Sequence, residues 1–105
     1  MKGNSKLWAI SRVAAPNFAA LREKGLQAHI DYLHSQKSIL VVSGATLTDD
    51  GKEVTGSMLI VNVGSRAEAR AFVDNDPFQK SGLFTNVTIT RMRKGQWNPQ
   101  AAEGA

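Results

Sequence analysis

The hydrophobic positions of this chain change period several times, and each change marks an element. Leu7–Val13 alternates, with Trp8, Ile10 and Arg12 on one face and Leu7, Ala9, Ser11 and Val13 on the other, which predicts a strand. Ala14-Ala15-Pro16-Asn17 breaks that pattern, and Asn17 is placed to cap a following helix. From Phe18 to Gln36 the apolar residues Phe18, Leu21, Leu26, Ile30 and Leu33 fall on one broad helical face. Gly25 interrupts it at a cost of about 1 kcal/mol relative to Ala, which points to close approach of another backbone or a ligand. Ser38–Thr46 and Gly56–Val63 are rich in β-branched residues and read as strands. They flank a polar loop, Leu47–Thr55, that turns at Asp50-Gly51.

Ser65 followed three residues later by Glu68 is a capping box and opens a second helix. Its inward residues are expected to be Ala67, Ala71 and Phe72. That helix stops before Pro77, because a residue preceding proline avoids the helical region. Phe78–Leu83 reads as irregular, Phe84–Arg93 as a fourth strand, and the remainder as a polar tail with Trp97 its only large apolar residue. The chain therefore divides into a frayed segment 1–6, one domain over 7–94 and a tail over 95–105.

The order β-α-β-β-α-β predicts an α+β, ferredoxin-like fold: a four-stranded antiparallel sheet with two helices on one face. Such a sheet alternates apolar and polar if its second face meets water. Here Ile39–Val42 and Met58–Val61 are apolar at both parities, and Trp8 and Ile10 add to this on the first strand. No spare element is long enough to cover that face, so a second copy packed sheet to sheet is expected, a dimeric α/β-barrel arrangement.

Composition narrows the chemistry. The 105 residues contain no cysteine, which excludes a disulfide framework, thiolate metal sites and a cysteine nucleophile. A net charge of +4 makes nucleic acid a candidate partner. An RNA-binding sheet of this topology needs stacking aromatics on its central strands, however, and Gly56–Val63 has none. There is neither a signal-peptide core nor an apolar run of membrane-spanning length, so the chain reads as cytoplasmic.

Of the two histidines, His34 lies near Gln27 and Asp31 on a flank that faces solvent. His29 falls about 60° from Leu26, between Leu33 and Phe18, within the greasy stripe. Two readings fit it: a general acid/base aimed into a pocket between helix and sheet, or a core histidine bonded to a backbone carbonyl. Asp76 in Asp74-Asn75-Asp76-Pro77-Phe78 is likewise either turn chemistry or, since the end of the second helix lies beside the first in this fold, a carboxylate that orients His29. The histidines are five apart on different faces, which disfavours metal ligation. No phosphate-binding glycine loop or nucleophile elbow is present.

The residues Ala28–Leu33 (AHIDYL), Ser43–Ala45, Asp49–Val61 (DDGKEVTGSMLIV), Ser65–Phe78 (SRAEARAFVDNDPF) and Ser81–Phe84 (SGLF) resemble the YciI-like (YCII-related) family. The resemblance implies that His29 and Asp76 form an active-site pair, with Gly56 and Ser57 lining the same cleft and Gly44, Pro77 and Phe78 contacting substrate. It implies cofactor-free proton transfer on a small molecule and a fold shared with muconolactone isomerases. One branch, the 5-chlorohydroxyhydroquinone dehydrochlorinases, removes chloride from a hydroxylated chloroaromatic. A muconolactone-isomerase-like isomerase and a non-catalytic ligand-binding dimer are the other readings. Two positions depart from the family pattern: Gly44-Ala45 stands where Gly-Pro is usual, and Leu26 where many members have arginine, which suits an apolar ring.

Overall fold

Strand alternation sorts the chain into two faces, and the computed structural model, which describes residues 5–105, follows that sorting. The elements are β1 (Lys6–Ala14), α1 (Phe18–Ser35), β2 (Leu40–Leu47), β3 (Val54–Val63), α2 (Arg66–Asp74), α3 (Pro77–Lys80) and β4 (Phe84–Met92). The sheet order is β2-β3-β1-β4 with every neighbouring pair antiparallel. This is the ferredoxin-like arrangement. The expected frayed segment 1–6 lies mostly outside the described residues, and Lys6 already belongs to β1. In the tail, Pro99–Ala102 forms a 3-10 turn, and Trp97 is exposed.

Beneath the helices, Trp8 and Ile10 of β1 meet Leu59, Val61 and Val63 of β3 and Ala69, Phe72 and Val73 of α2. Full burial of each such aliphatic side chain contributes roughly 1.5–3 kcal/mol. A second cluster, Phe18, Phe78, Leu83 and Phe84, ties the start of α1 to α3 and β4. Tyr32 joins the two long helices by donating to the Phe72 carbonyl at 2.7 Å.

Several local expectations are corrected. α2 buries Ala69, Phe72 and Val73 and leaves Ala67 and Ala71 exposed. The i, i+3, i+4 stripe therefore runs two residues further along than Ala67 suggests. Asn17 occupies the N-cap position of α1, but its side chain makes no capping bond. Its ψ of 15° is not the extended conformation that lets a cap side chain reach back. Ser65 does accept from the Glu68 amide at 3.2 Å, while the Glu68 carboxylate reaches the Gly64 amide at 3.4 Å, one residue before the cap. The segment read as irregular begins with α3, a single helical turn. Trp8 and Ile10 belong to the helix-covered face, at 6% and 0% exposure, and not to the second face.

The second face carries Leu7, Ala9, Ser11 and Val13 of β1 beside Asn62, Ile60, Met58 and Gly56 of β3. A register shift between Leu40 and Val42 explains why β2 is apolar at both parities: the strand changes face there, and Val42 comes to lie opposite Ile60. Val13, Val42 and Met58 are each close to half exposed.

Candidate active site

Asp76 is where the site begins. The proline after it fixes an extended backbone at Asp76 (φ −68°, ψ 124°) and supplies the first residue of α3, leaving Asp76 as its N-cap. Its Oδ1 accepts from the Phe78 amide at 3.0 Å. The same oxygen lies 2.7 Å from His29 Nδ1, and Oδ2 accepts from Arg12 Nη1 at 2.8 Å. Asp76 and the Arg12 side chain are both 1% exposed, so this ion pair is buried outright. Burial pushes the Asp76 carboxyl up, but the hydrogen bonds from His29 and Arg12, and their charge, outweigh it and hold the carboxyl below its usual range. Burial likewise draws the Arg12 guanidinium down against the pull of Asp76. An arginine starts so far above neutrality that it stays charged.

An ionised carboxylate only accepts, so His29 carries a hydrogen on Nδ1, and in the neutral imidazole Nε2 is then the acceptor. The ring plane is fixed as well. His29 stacks on Phe78 with centroids 4.0 Å apart and planes 6° from parallel. Gly25, one turn before His29, faces that ring, and a Cβ there would stand 3.4 Å from Phe78 carbons, an ordinary van der Waals distance. The expected approach of another backbone or a ligand at Gly25 is not what the structure has: its neighbour is the Phe78 side chain, at a distance that does not require glycine.

A cavity of about 270 Å³ opens beside this cluster, near the lower end of small-molecule pockets and roomy enough for one substituted ring. Leu26, Ile30 and Leu33 of α1, Leu59 and Phe84 make it mostly apolar, while Arg12, His29, Ser43 and Ser57 supply the polar edges. The residue that departs from the family pattern at Leu26 is therefore part of the wall. His29, Ser57, Gly44, Gly56 and Phe78 line this one cavity, and Asp76 stands behind it. Pro77 is not in the wall; it serves to start α3. His34 is exposed, away from the cluster.

Sequence reasoning missed Arg12. It donates to Ser57 Oγ at 3.2 Å and to Gln79 Oε1 at 3.4 Å, and its guanidinium lies 4.0 Å over the Phe84 ring. The signal was its strand parity: alternation puts Arg12 on the face of Trp8 and Ile10, and a charge on a covered face demands a partner. Gly56 makes that strand contact possible, since a Cβ on it would strike the Arg12 carbonyl oxygen.

Fold and site together define a small α+β protein with a histidine–aspartate cluster at an apolar cavity. The YCII-related domain family matches residues 7–93, and the chain belongs to that family. Among solved structures it is similar to 5-chloro-2-hydroxyhydroquinone dehydrochlorinase (TftG) from Burkholderia phenoliruptrix AC1100, in complex with 2,5-dihydroxybenzoquinone. The two share 38% identity with a TM-score of 0.75, covering 85% of this chain and 95% of that one. PA3566 from Pseudomonas aeruginosa shares the fold at a TM-score of 0.52 and 14% identity, over 91% of this chain and 99% of that one. No curated protein sequence matches the chain.

Proposed function

We propose that this protein is a cofactor-free enzyme that moves protons on a hydroxylated aromatic ring, and that its reaction is loss of chloride from a chlorinated hydroxyhydroquinone. The observation that carries this reading is His29 at the cavity wall with Nδ1 held 2.7 Å from a buried carboxylate, which leaves Nε2 to act as base. The similarity to a dehydrochlorinase supports the substrate class.

In the proposed reaction His29 Nε2 takes a phenolic proton and returns it to the chlorine-bearing carbon as the ring ketonises. Chloride then leaves with the C–Cl bonding pair while a second hydroxyl loses its proton to solvent. The net loss is HCl and the product is a hydroxybenzoquinone, so no external oxidant is needed. Asp76 holds the imidazole in orientation and stabilises its charged form, and Ser57, Gly44 and Phe78 border the ring. Release of chloride from 5-chlorohydroxyhydroquinone tests this directly. His29→Gln should fold normally and lose on the order of 10²–10⁴ in kcat. Undiminished turnover in that variant would refute the scheme, and ring binding without turnover by the wild type would make the protein a ligand-binding module.

A second copy is proposed to cover the outer sheet face, on the strength of the half-exposed Val13, Val42 and Met58 beside Leu7, Ala9 and Ile60.

A further inference from the structure

We propose that Arg12 is a positioning residue that sets the polarity of the cavity: it fixes Ser57 as a hydrogen-bond donor to the ligand, while the carboxylate it holds fixes His29 as an acceptor. The inference rests on the reading of the cavity as a ring-binding site and adds how that ring is recognised.

A guanidinium has donors and no acceptor. Arg12 Nη2 stands 3.2 Å from Ser57 Oγ, so the serine oxygen must accept and its own hydrogen must turn elsewhere. Ser57 lines the cavity, which makes a ligand oxygen the acceptor available to that hydrogen. On its other side Arg12 occupies Oδ2 of Asp76, leaving Oδ1 for His29 and the Phe78 amide. The charge of Arg12 also helps to keep Asp76 ionised, and an ionised carboxylate accepts at either oxygen, so the hydrogen between the two side chains stays on His29 Nδ1. One buried ion pair thus sets the polar edges made by Ser57 and His29.

The guanidinium itself is locked from three directions: Ser57 on β3, Asp76 and Gln79 at α3, and the Phe84 ring on β4. The backbone is shaped to match. Ser11 pairs with Thr88 but Val13 with Thr85, so β4 carries an extra residue opposite Arg12, and Asn86 there adopts a left-handed φ of 45°. A ligand suited to this site offers an O–H towards His29 and a nearby carbonyl or oxyanion towards Ser57. The monoanion of a hydroxylated ring with neighbouring oxygens, or a hydroxyquinone, has that pattern.

The test combines a binding titration with a ligand-free measurement. 2,5-Dihydroxybenzoquinone is titrated by its absorbance into wild type, Arg12→Met, Ser57→Ala and the double variant. Each single change should weaken binding on the order of ten- to a hundredfold. The double variant should bind no worse than the weaker single, because Arg12 acts through Ser57. Additive losses would overturn the inference, since a merely structural arginine gives those. Arg12→Lys keeps the charge beside Asp76 but lacks the fork: it should retain the His29 tautomer, read from the imidazole ¹⁵N shifts, and still bind the probe weakly. Wild-type affinity in Arg12→Lys would also overturn it. If wild type fails to bind the probe, the ring reading falls and the ¹⁵N arm decides alone. Arg12→Met should then show mixed tautomers, and a wild-type pattern would refute the role. Should Arg12→Met not fold, Arg12→Lys and Ser57→Ala carry both measurements.

Discussion

Asp76→Asn removes one charge and turns one of two accepting oxygens into a donor, here the one facing Arg12 if the other keeps its bonds to His29 and Phe78. Asparagine has the same shape and is as good an N-cap, so the bond to the Phe78 amide should survive. The Arg12 guanidinium, whose side chain is 1% exposed, would be left buried with its countercharge gone. Breaking one side of a buried pair costs about 3–5 kcal/mol, a large share of the roughly 5–15 kcal/mol that holds a domain together. The Phe84 ring and Gln79 soften the loss, so about 3 kcal/mol is the expected figure. The effect should depend on pH with a definite sign. The folded Asp76 carboxyl lies below its unfolded value of about 3.9, so its stabilisation is fully present above that pH. It is lost as pH falls through the folded value, where the native carboxylate must also take up a proton. Urea unfolding at pH 7 and in steps below pH 4 measures both. Wild type should lose stability steeply in the acid window, Asp76→Asn less steeply, and the two curves should converge. A variant within about 0.5 kcal/mol of wild type at pH 7, or an identical acid slope, would refute the claim that this pair is a buried, ionised contact.

Three further changes probe the frame around the site. Gly56→Ala puts a methyl group against the Arg12 carbonyl oxygen, so β1 and β3 must separate; a loss of about 1–3 kcal/mol in denaturant melts is expected, together with weaker ligand binding. Arg22 reaches the cavity from two turns before His29 and is 41% exposed. Arg22→Ala should weaken an anionic dihydroxybenzoquinone by no more than about fivefold at low salt, and the difference should vanish in high salt. Met58→Asp places a charge in the middle of the outer sheet face and should shift the species seen by light scattering from dimer to monomer; a wild type that scatters as a monomer at micromolar concentration removes the dimer proposal.

The framework was legible because it rests on periodicity, which the sequence states openly. Strand parity, the Ser65 cap and the Pro77 stop follow from single-residue preferences that tertiary packing reinforces. What went wrong were properties that depend on where one element meets another. The buried face of α2 differs from the expected one because Ala is apolar enough to be read inward and small enough to stand outside. Exposed Ala67 and Ala71 cost little, and Val73 supplies the volume the core uses. The both-parity apolar run of β2 looked like a strand buried on two sides, and part of it instead records a bulge that switches face after Leu40.

The site divides along the same line. His29 stood out because a titratable group within an apolar stripe violates a local pattern, and Asp76 because Asp-Pro is a structural punctuation mark. Arg12 violates a pattern too, but a long aliphatic stem near the end of a strand can carry its charge out to solvent, so the violation is a weaker signal than a histidine in an apolar stripe. What buries it is a coincidence of distant choices. Gly56 lets β3 close against its backbone, the β4 bulge bends the neighbouring strand, and α3 delivers Asp76 and Gln79 above it. None of those choices names arginine. The turn that looked irregular is the one that brings the carboxylate to both cations, so Pro77, expected to touch substrate, acts one step back by fixing where Asp76 points. A one-residue shift of that turn would keep the composition of the site and lose its wiring, which is why the residues of the pair could be named from sequence while the group that sets their polarity could not.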